Sequence, residues 1–257
     1  MSAKREGDKR KSEARNSEQA TSRRQQKEKA HARELARLAS PTVHYVTVQA
    51  PEPEVLRVLY LTANPEMDLR TEVEVRDVQQ AVKRALHRDL IDLQYRPAAT
   101  PEDLLDGLND VRPHVVHFSG HAGDAAVLFD NASIDTPDGR TVPFHLLAQA
   151  LGATAQPPTL LLLNGCDTLE GAEVLLGATP VVIAMATDIS DLAASAFAAR
   201  FYAAVAAAQP VGAALRQGAV ALDFMGLDEG WKPRLLTRDD VNVDDLVLVN
   251  VPVEHAV

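Results

Sequence analysis

Two short stretches of this chain end an apolar run on a residue with reactive chemistry. They are HVVHFSGHAGD, from His114 to Asp124, and LLLLNGCDTLEG, from Leu160 to Gly171. Each run stops at a glycine, Gly120 or Gly165, followed at once by the imidazole of His121 or the thiol of Cys166. Cys166 is the only cysteine in 257 residues, so it has no disulfide partner within the chain and no companions for a multi-thiolate zinc site. A lone thiol is either a small core hydrophobe or a reactive group. An imidazole beside it lowers its effective pKa, takes its proton to form the thiolate and then returns a proton to a leaving group, which is acyl-transfer chemistry. Either residue alone has an ordinary structural explanation. Their joint occurrence, each after a glycine and each ending an apolar strand, favours a Cys–His dyad. His117 lies four positions before His121 and so on the same sheet face, and it reads as a hydrogen-bonded interior histidine. A metal site built on His117 and His121 lacks a third ligand in the sequence, so neither metal nor cofactor is expected. His87, His114 and His145 have no comparable context.

The elements that would position this pair follow a regular alternation. VLRVLYLTANP (55–65) reads as a strand, LRTEVEVRDVQQAVKRAL (69–86) as an amphipathic helix through Val73, Val75, Val78, Val82 and Leu86, and LIDLQYRP (90–97) as a second strand. Residues 100–113 read as a helix with Thr100 as N-cap, Pro101 in the first helical position, and Glu102 and Asp103 in the first turn. HVVHFSG and PTLLLLNGC are continuous apolar runs of the kind buried on both faces of a parallel sheet, and PVVIAMAT (180–187) is a third. Between them come a hairpin excursion with a Pro-Asp-Gly turn, a short helix at HLLAQAL and a helical TLEGAEVLLGA. Two helices follow, 190–209 and 210–224, the second opened by Pro210, and then two edge-strand pieces, PRLLTR and DDLVLVN. Alternating strands and helices imply a parallel α/β sheet, and such sheets gather reactive groups beyond the carboxyl ends of their strands. If the strands ending at His121 and Cys166 are neighbours, their ends lie about 5 Å apart.

Composition narrows the function classes. Hydrophobic residues make up 46% and there is one Trp, so a globular, aliphatic core is expected. No G-x-x-x-x-G-K-[ST], G-x-G-x-x-G or G-x-S-x-G occurs, which argues against a phosphate-binding loop and against a serine hydrolase. Residues 1–40 hold twelve Lys or Arg against six Asp or Glu, net +6, which leaves −16 on the rest of a chain whose total is −10. This basic arm has acidic residues interleaved and no aromatic for stacking on bases, so it reads as a solvated tail rather than a nucleic-acid ligand. Its last part, QKEKAHARELARLAS, is helix-compatible, with only Leu35 and Leu38 toward an apolar face. No run approaches a membrane span and the opening MSAKREGDKRKSEARN has no apolar segment of the signal-peptide kind, so the expected location is the cytoplasm.

VVHFSGHAG followed by LLLLNGCDT resembles the His and Cys motifs of the CHAT proteases, bacterial relatives of caspases and separase, whose histidine ends an HFSGHG strand and whose cysteine ends an LNAC strand. RVLYLTANPEMDLRTEVEVRDVQQAV is similar to the family's opening strand and helix, and FAARFYAAVAAAQPVGAALRQGAVAL to its later helix pair, so the resemblance covers residues 55–223. It implies a caspase-like (caspase-hemoglobinase) α/β fold, with a mostly parallel central sheet flanked by helices on both faces. On that reading an arm over 1–45 precedes a protease domain over 50–257. It further implies peptide-bond cleavage with Cys166 as nucleophile, His121 as base, and the backbone N–H groups of Cys166 and Ala122 as the oxyanion hole. One residue departs from the pattern: the family has glycine directly after the histidine, whereas here Ala122 comes first and Gly123 second. Alanine there carries a cost if the backbone needs positive φ, which puts loop geometry and turnover in question.

Relatives that cleave after Arg or Lys carry an aspartate two positions before the cysteine. The matching residue is Asn164, which leans toward an uncharged P1 residue, with Asp167, Asp188 and Asp191 as further pocket candidates. Asp191 reads equally well as a helix N-terminal charge. The role implied is a protease effector in bacterial signalling or antiviral defence, acting on a protein substrate and switched on by a separate sensor protein. The alternative is a caspase-like binding or scaffold module without turnover.

Overall fold

The computed structural model describes residues 54–131 and 138–251, together with residues 19, 21–31 and 33. The chain divides into two units, Met1–Pro51 and Glu52–Val257. In the first, the described residues are helical, and residues 21–31 are exposed. Leu35 and Leu38 lie outside the described residues, as does Pro137 of the expected hairpin turn.

In the second unit the continuous apolar runs become inner strands. These are β1 (Leu56–Ala63), β3 (Val115–Gly120), β7 (Leu160–Asn164) and β8 (Val181–Met185); β3, β7 and β8 are buried at every position. β2 (Ile91–Arg96) and β9 (Pro233–Thr237) form the edges, giving the order β2-β1-β3-β7-β8-β9. All neighbours run parallel except β9, which is antiparallel to β8. The strand period of two splits the core into two layers. Val58, Tyr60, Leu162 and Ile183 face one side, where they meet Val75 and Val78 of α1 (Thr71–Arg84) and Phe197 and Phe201 of α4 (Asp191–Val205). α5 (Val211–Phe224) lies on this side, bringing Val211, Ala214 and Leu222. Leu59, Leu61, Phe118, Leu161 and Val182 face the other side, against Leu104 and Leu108 of α2 (Pro101–Asp110) and Leu147 and Leu151 of α3 (Phe144–Gly152). Each fully buried aliphatic or aromatic side chain contributes about 1.5–3 kcal/mol, which is why these runs specify the sheet so firmly.

Local signals held where they were chemical. Thr100 and Asp103 form a reciprocal capping box: Thr100 Oγ1 accepts from the Asp103 N–H at 3.1 Å, and Asp103 Oδ2 accepts from the Thr100 N–H at 2.9 Å. The excursion after β3 is a small antiparallel sheet of β4 (Ala122–Gly123), β5 (Ala126–Phe129) and β6 (Arg140–Pro143).

Three expectations differ. α1 stops at Arg84, and Leu86 is left 76% exposed rather than on the apolar face. TLEGAEVLLGA is not an α-helix, because Gly171 takes the left-handed conformation (φ 74°) and only a 3-10 helix, Ala172–Gly177, follows. DDLVLVN makes only the isolated bridge Val247 to Pro210 rather than an edge strand. Among the described residues no helix is long and apolar enough to cross a membrane.

Candidate active site

β3 and β7 are neighbours, with Ser119 aligned on Asn164, so Gly120–His121 and Gly165–Cys166 leave the sheet side by side. The two glycines are required by close approach. A Cβ on Gly120 would strike the Ala63 carbonyl oxygen, and one on Gly165 the Gly120 carbonyl oxygen, both under 3.0 Å. His121 and Cys166 line one cleft with Leu69, Arg70, Glu74 and Asn164, closed at the α4 end by Ile189 and Asp191. Its volume is about 40 Å³, room for about one water molecule.

Beyond β7 the chain turns sharply. Asp167 is left-handed at φ 51°, and the buried Thr168 fastens the turn: its hydroxyl lies 3.1 Å from the Gly165 carbonyl and accepts from the Met185 N–H at 2.8 Å. The Cys166 Sγ lies 3.9 Å from the Ile189 carbonyl, at the edge of a weak S–H···O contact. Burial pushes the Cys166 thiol above its ordinary value, and the charges of Asp188 and Asp167 add to that. The expectation of a thiol lowered by the neighbouring imidazole is therefore not met in this geometry: desolvation and two carboxylates outweigh it.

His121 is held from the other side. Its Nε2 lies 2.7 Å from Asp68 Oδ1 and 4.0 Å from Glu66 Oε2. The hydrogen bond from His121 holds the Asp68 carboxyl below the usual carboxylate range against a small opposing effect of burial. The His121 carbonyl accepts from the Leu128 N–H at 2.9 Å, fixing the start of the small sheet. Ala122 pairs with Val127 in that sheet and is not among the residues with positive φ. The positive φ falls one residue later, at Gly123 (152°), so the alanine carries no left-handed penalty.

The remaining candidates separate by burial. Asn164 is 3% exposed; its amide donates to the Ala194 carbonyl at 3.2 Å, while its Oδ1 has no partner among the described residues. Asp191 lines the cleft and also serves the backbone, accepting from the Arg70 N–H at 3.0 Å at the start of α4. Asp167 and Asp188 are exposed and do not line the cleft, though both charges are felt at the thiol.

Behind the cleft lies a buried polar group whose composition sequence reasoning missed. Glu74 is 4% exposed and accepts from Tyr60 Oη and, at 2.9 Å, from Ser119 Oγ. His117 Nε2 is 3.2 Å from the same carboxylate and its Nδ1 is 3.2 Å from Tyr202 Oη, with its ring stacked on Tyr60 at 3.9 Å between centroids. Burial pushes His117 below its ordinary value. Burial also works to raise Glu74, but the groups facing it, His117 first and then Tyr60 and Asn164, more than offset that and hold it down. Asp68 and Thr168 were missed as well, and neither has a spacing signal. Among the described residues Glu66, Asp68 and His121 bring ligand-type atoms within 4.8 Å of one another, a grouping unlike the His117–His121 pair considered from sequence.

A mostly parallel sheet that carries a thiol and an imidazole at the ends of neighbouring strands has the layout of caspase-like cysteine proteases. The CHAT domain family matches residues 10–223, and this chain belongs to it. No curated protein matches the sequence. Among solved structures it is similar to a secreted C11 cysteine protease from Bacteroides thetaiotaomicron in complex with an irreversible peptide inhibitor, at 12% identity, over 60% of this chain and 57% of that one, with a TM-score of 0.44. It is also similar to the Arg-specific cysteine proteinase gingipain R, at 15% identity over 70% of this chain and 46% of that one, TM-score 0.47. An inactive zymogen C11 protease from Parabacteroides distasonis matches at 14% identity over 56% and 51%, TM-score 0.38. The chain spans about half the length of these structures.

Proposed function

We propose that this chain is a cysteine endopeptidase whose nucleophile is Cys166 and whose general base is His121. The observation that carries the reading is the β3–β7 register, with Ser119 on Asn164, which supports a meeting of the two side chains over one cleft. In the proposed cycle His121 takes the proton from Sγ and the thiolate adds to the peptide carbonyl carbon. The resulting oxyanion accepts from the N–H groups of Cys166 and Ala122. Collapse breaks the C–N bond, His121 protonates the leaving amine, and a water activated by the same imidazole hydrolyses the thioester to release the acid and the thiol. Ala122 presents no obstacle to this geometry, since it is extended.

The raised thiol and a cleft with room for about one water favour a resting state that must be opened, in keeping with an effector switched on by a separate sensor protein in bacterial signalling or defence. The cytoplasm suits that role, since it keeps a lone thiol reduced. The basic arm is the proposed docking or autoinhibitory segment. Acid enters the cleft through Glu74 as well as Asp191, so the lean to an uncharged P1 residue drawn from Asn164 is not carried forward.

The test is hydrolysis of a diverse peptide library by the full chain and by Cys166→Ala and His121→Ala. Cleavage by the wild type that both variants lose supports the reading. The closed cleft also favours a second reading, a binding module without turnover. It would be supported if Cys166→Ala kept the cellular effect and the partner binding of the wild type.

A further inference from the structure

The loop between β1 and α1 is built to hold one carboxylate against the base. Asn64 organises it from within: its Nδ2 donates to the Leu69 carbonyl at 2.8 Å, and its Oδ1 accepts from the N–H groups of Asp68 at 3.2 Å and Leu69 at 3.3 Å. The Met67 N–H closes the turn on the Asn64 carbonyl at 3.1 Å, with Met67 left-handed at φ 56°. The far end is fastened to another element, because the Arg70 N–H donates to Asp191 Oδ2. Asp68, between these two anchors, meets His121 Nε2 at 2.7 Å, whereas the neighbouring Glu66 stands off at 4.0 Å.

We infer that Asp68 is a positioning residue for the dyad, one that accepts the Nε2–H of His121 and so leaves Nδ1 unprotonated as the nitrogen that serves Cys166. The inference rests on the peptidase reading. It follows from the ring's chemistry: a neutral imidazole has one donor and one acceptor nitrogen, a carboxylate accepts only, and a base fixed by a third group has both its tautomer and its orientation set. Asp68 does not line the cleft, so its influence should fall on the reacting imidazole rather than on substrate affinity. Its side chain is 56% exposed, so the effect should be smaller than the roughly 10⁴-fold loss known for a buried aspartate in a catalytic triad.

The experiment compares Asp68→Asn, Asp68→Ala, Asp68→Glu and the control Glu66→Gln with the wild type, by ¹⁵N NMR of the His121 ring and by hydrolysis of the best library peptide. The ring is followed in chains that also carry Cys166→Ala, at a pH where it is neutral. The Nε2–H form should dominate when Asp68 is present, and Asp68→Asn, whose amide donates to Nε2, should shift the ring toward Nδ1–H. In the active chain Asp68→Asn and Asp68→Ala should lower kcat about 10- to 100-fold with KM within about twofold, Asp68→Glu should recover part of the loss, and Glu66→Gln should change little. A ring of mixed tautomer in the presence of Asp68, or one that Asp68→Asn leaves unchanged, would overturn the inference, as would a loss confined to KM. If the wild type cleaves nothing, the peptidase reading fails, and the ring measurement alone still decides whether Asp68 sets the tautomer.

Discussion

His117 and His121 stand four residues apart on the same stretch of chain, and each faces a carboxylate, yet they have opposite surroundings. His117 is fully buried, clamped between Tyr60, Tyr202 and Glu74. His121 sits where β3 gives way to a loop, partly open to solvent, with an exposed aspartate at Nε2 and a thiol across the cleft. Burial fixes the first as a structural part. The strand end leaves the second free to exchange protons, so availability of the imidazole, rather than its identity, marks the base.

The largest effect that would break this contrast is on turnover. His121→Ala should lower kcat/KM by at least about 10²–10⁴-fold, the range for a lost general base, with the thermal midpoint nearly unchanged. His117→Ala should do the reverse in kind, with a stability loss of about 2–4 kcal/mol from the cavity and the unpaired Tyr202 and Glu74, read by denaturant unfolding. If the two variants behaved alike in both assays, the division of roles would be wrong.

The next effect sharpens the comparison through pH. His117 is lowered in the fold, so its contribution to stability is complete above its ordinary value of 6.5 and declines below that as the unfolded chain takes up the proton first. Glu74 is also lowered, so its contribution is complete above its ordinary 4.5 and is lost as pH falls through the lower folded value. Acid unfolding should therefore have two successive limbs. Glu74→Gln should remove the lower limb and leave the upper, and His117→Gln the converse.

Smaller effects concern the frame around the dyad. Gly165→Ala forces a methyl onto the Gly120 carbonyl oxygen and should cost about 1–3 kcal/mol, with activity falling because the strand ends are pushed apart. Ala122→Gly should be the mildest change. Because Ala122 is extended and paired with Val127, glycine brings no relief of strain, and a loss of about 0.5–1 kcal/mol with no gain in rate is expected. A clear rise in kcat would show that the loop wants positive φ at this position after all.

The fold was legible because its inner strands are unbroken apolar runs and because caps such as Thr100 act through neighbours three residues away. The cleft pair was legible for the same local reason: glycine followed by a reactive side chain at a strand end. Asp68 and Glu74 were not. Glu74 reads as one more charge on an amphipathic helix, and only the packing of α1 against β1 and β3 turns it inward to Tyr60 and Ser119. Asp68 is 53 residues from His121, so nothing in local spacing could pair them. The raised thiol escaped notice because it depends on burial and on where Asp167 and Asp188 come to rest. TLEGAEVLLGA misled because Gly171 takes a left-handed conformation there and no α-helix follows.

The central claim is that Cys166 is an imidazole-assisted nucleophile in a peptide-binding cleft, and the single thiol makes it directly measurable. A set of peptidyl acyloxymethyl ketones varied at P1 would be incubated with wild type and His121→Ala, and adducts at Cys166 counted by intact mass. The account expects some P1 side chains to label Cys166 far faster than others, with that labelling at least about tenfold slower in His121→Ala. Equal labelling in both chains, or none in the wild type with any P1 residue, would contradict it.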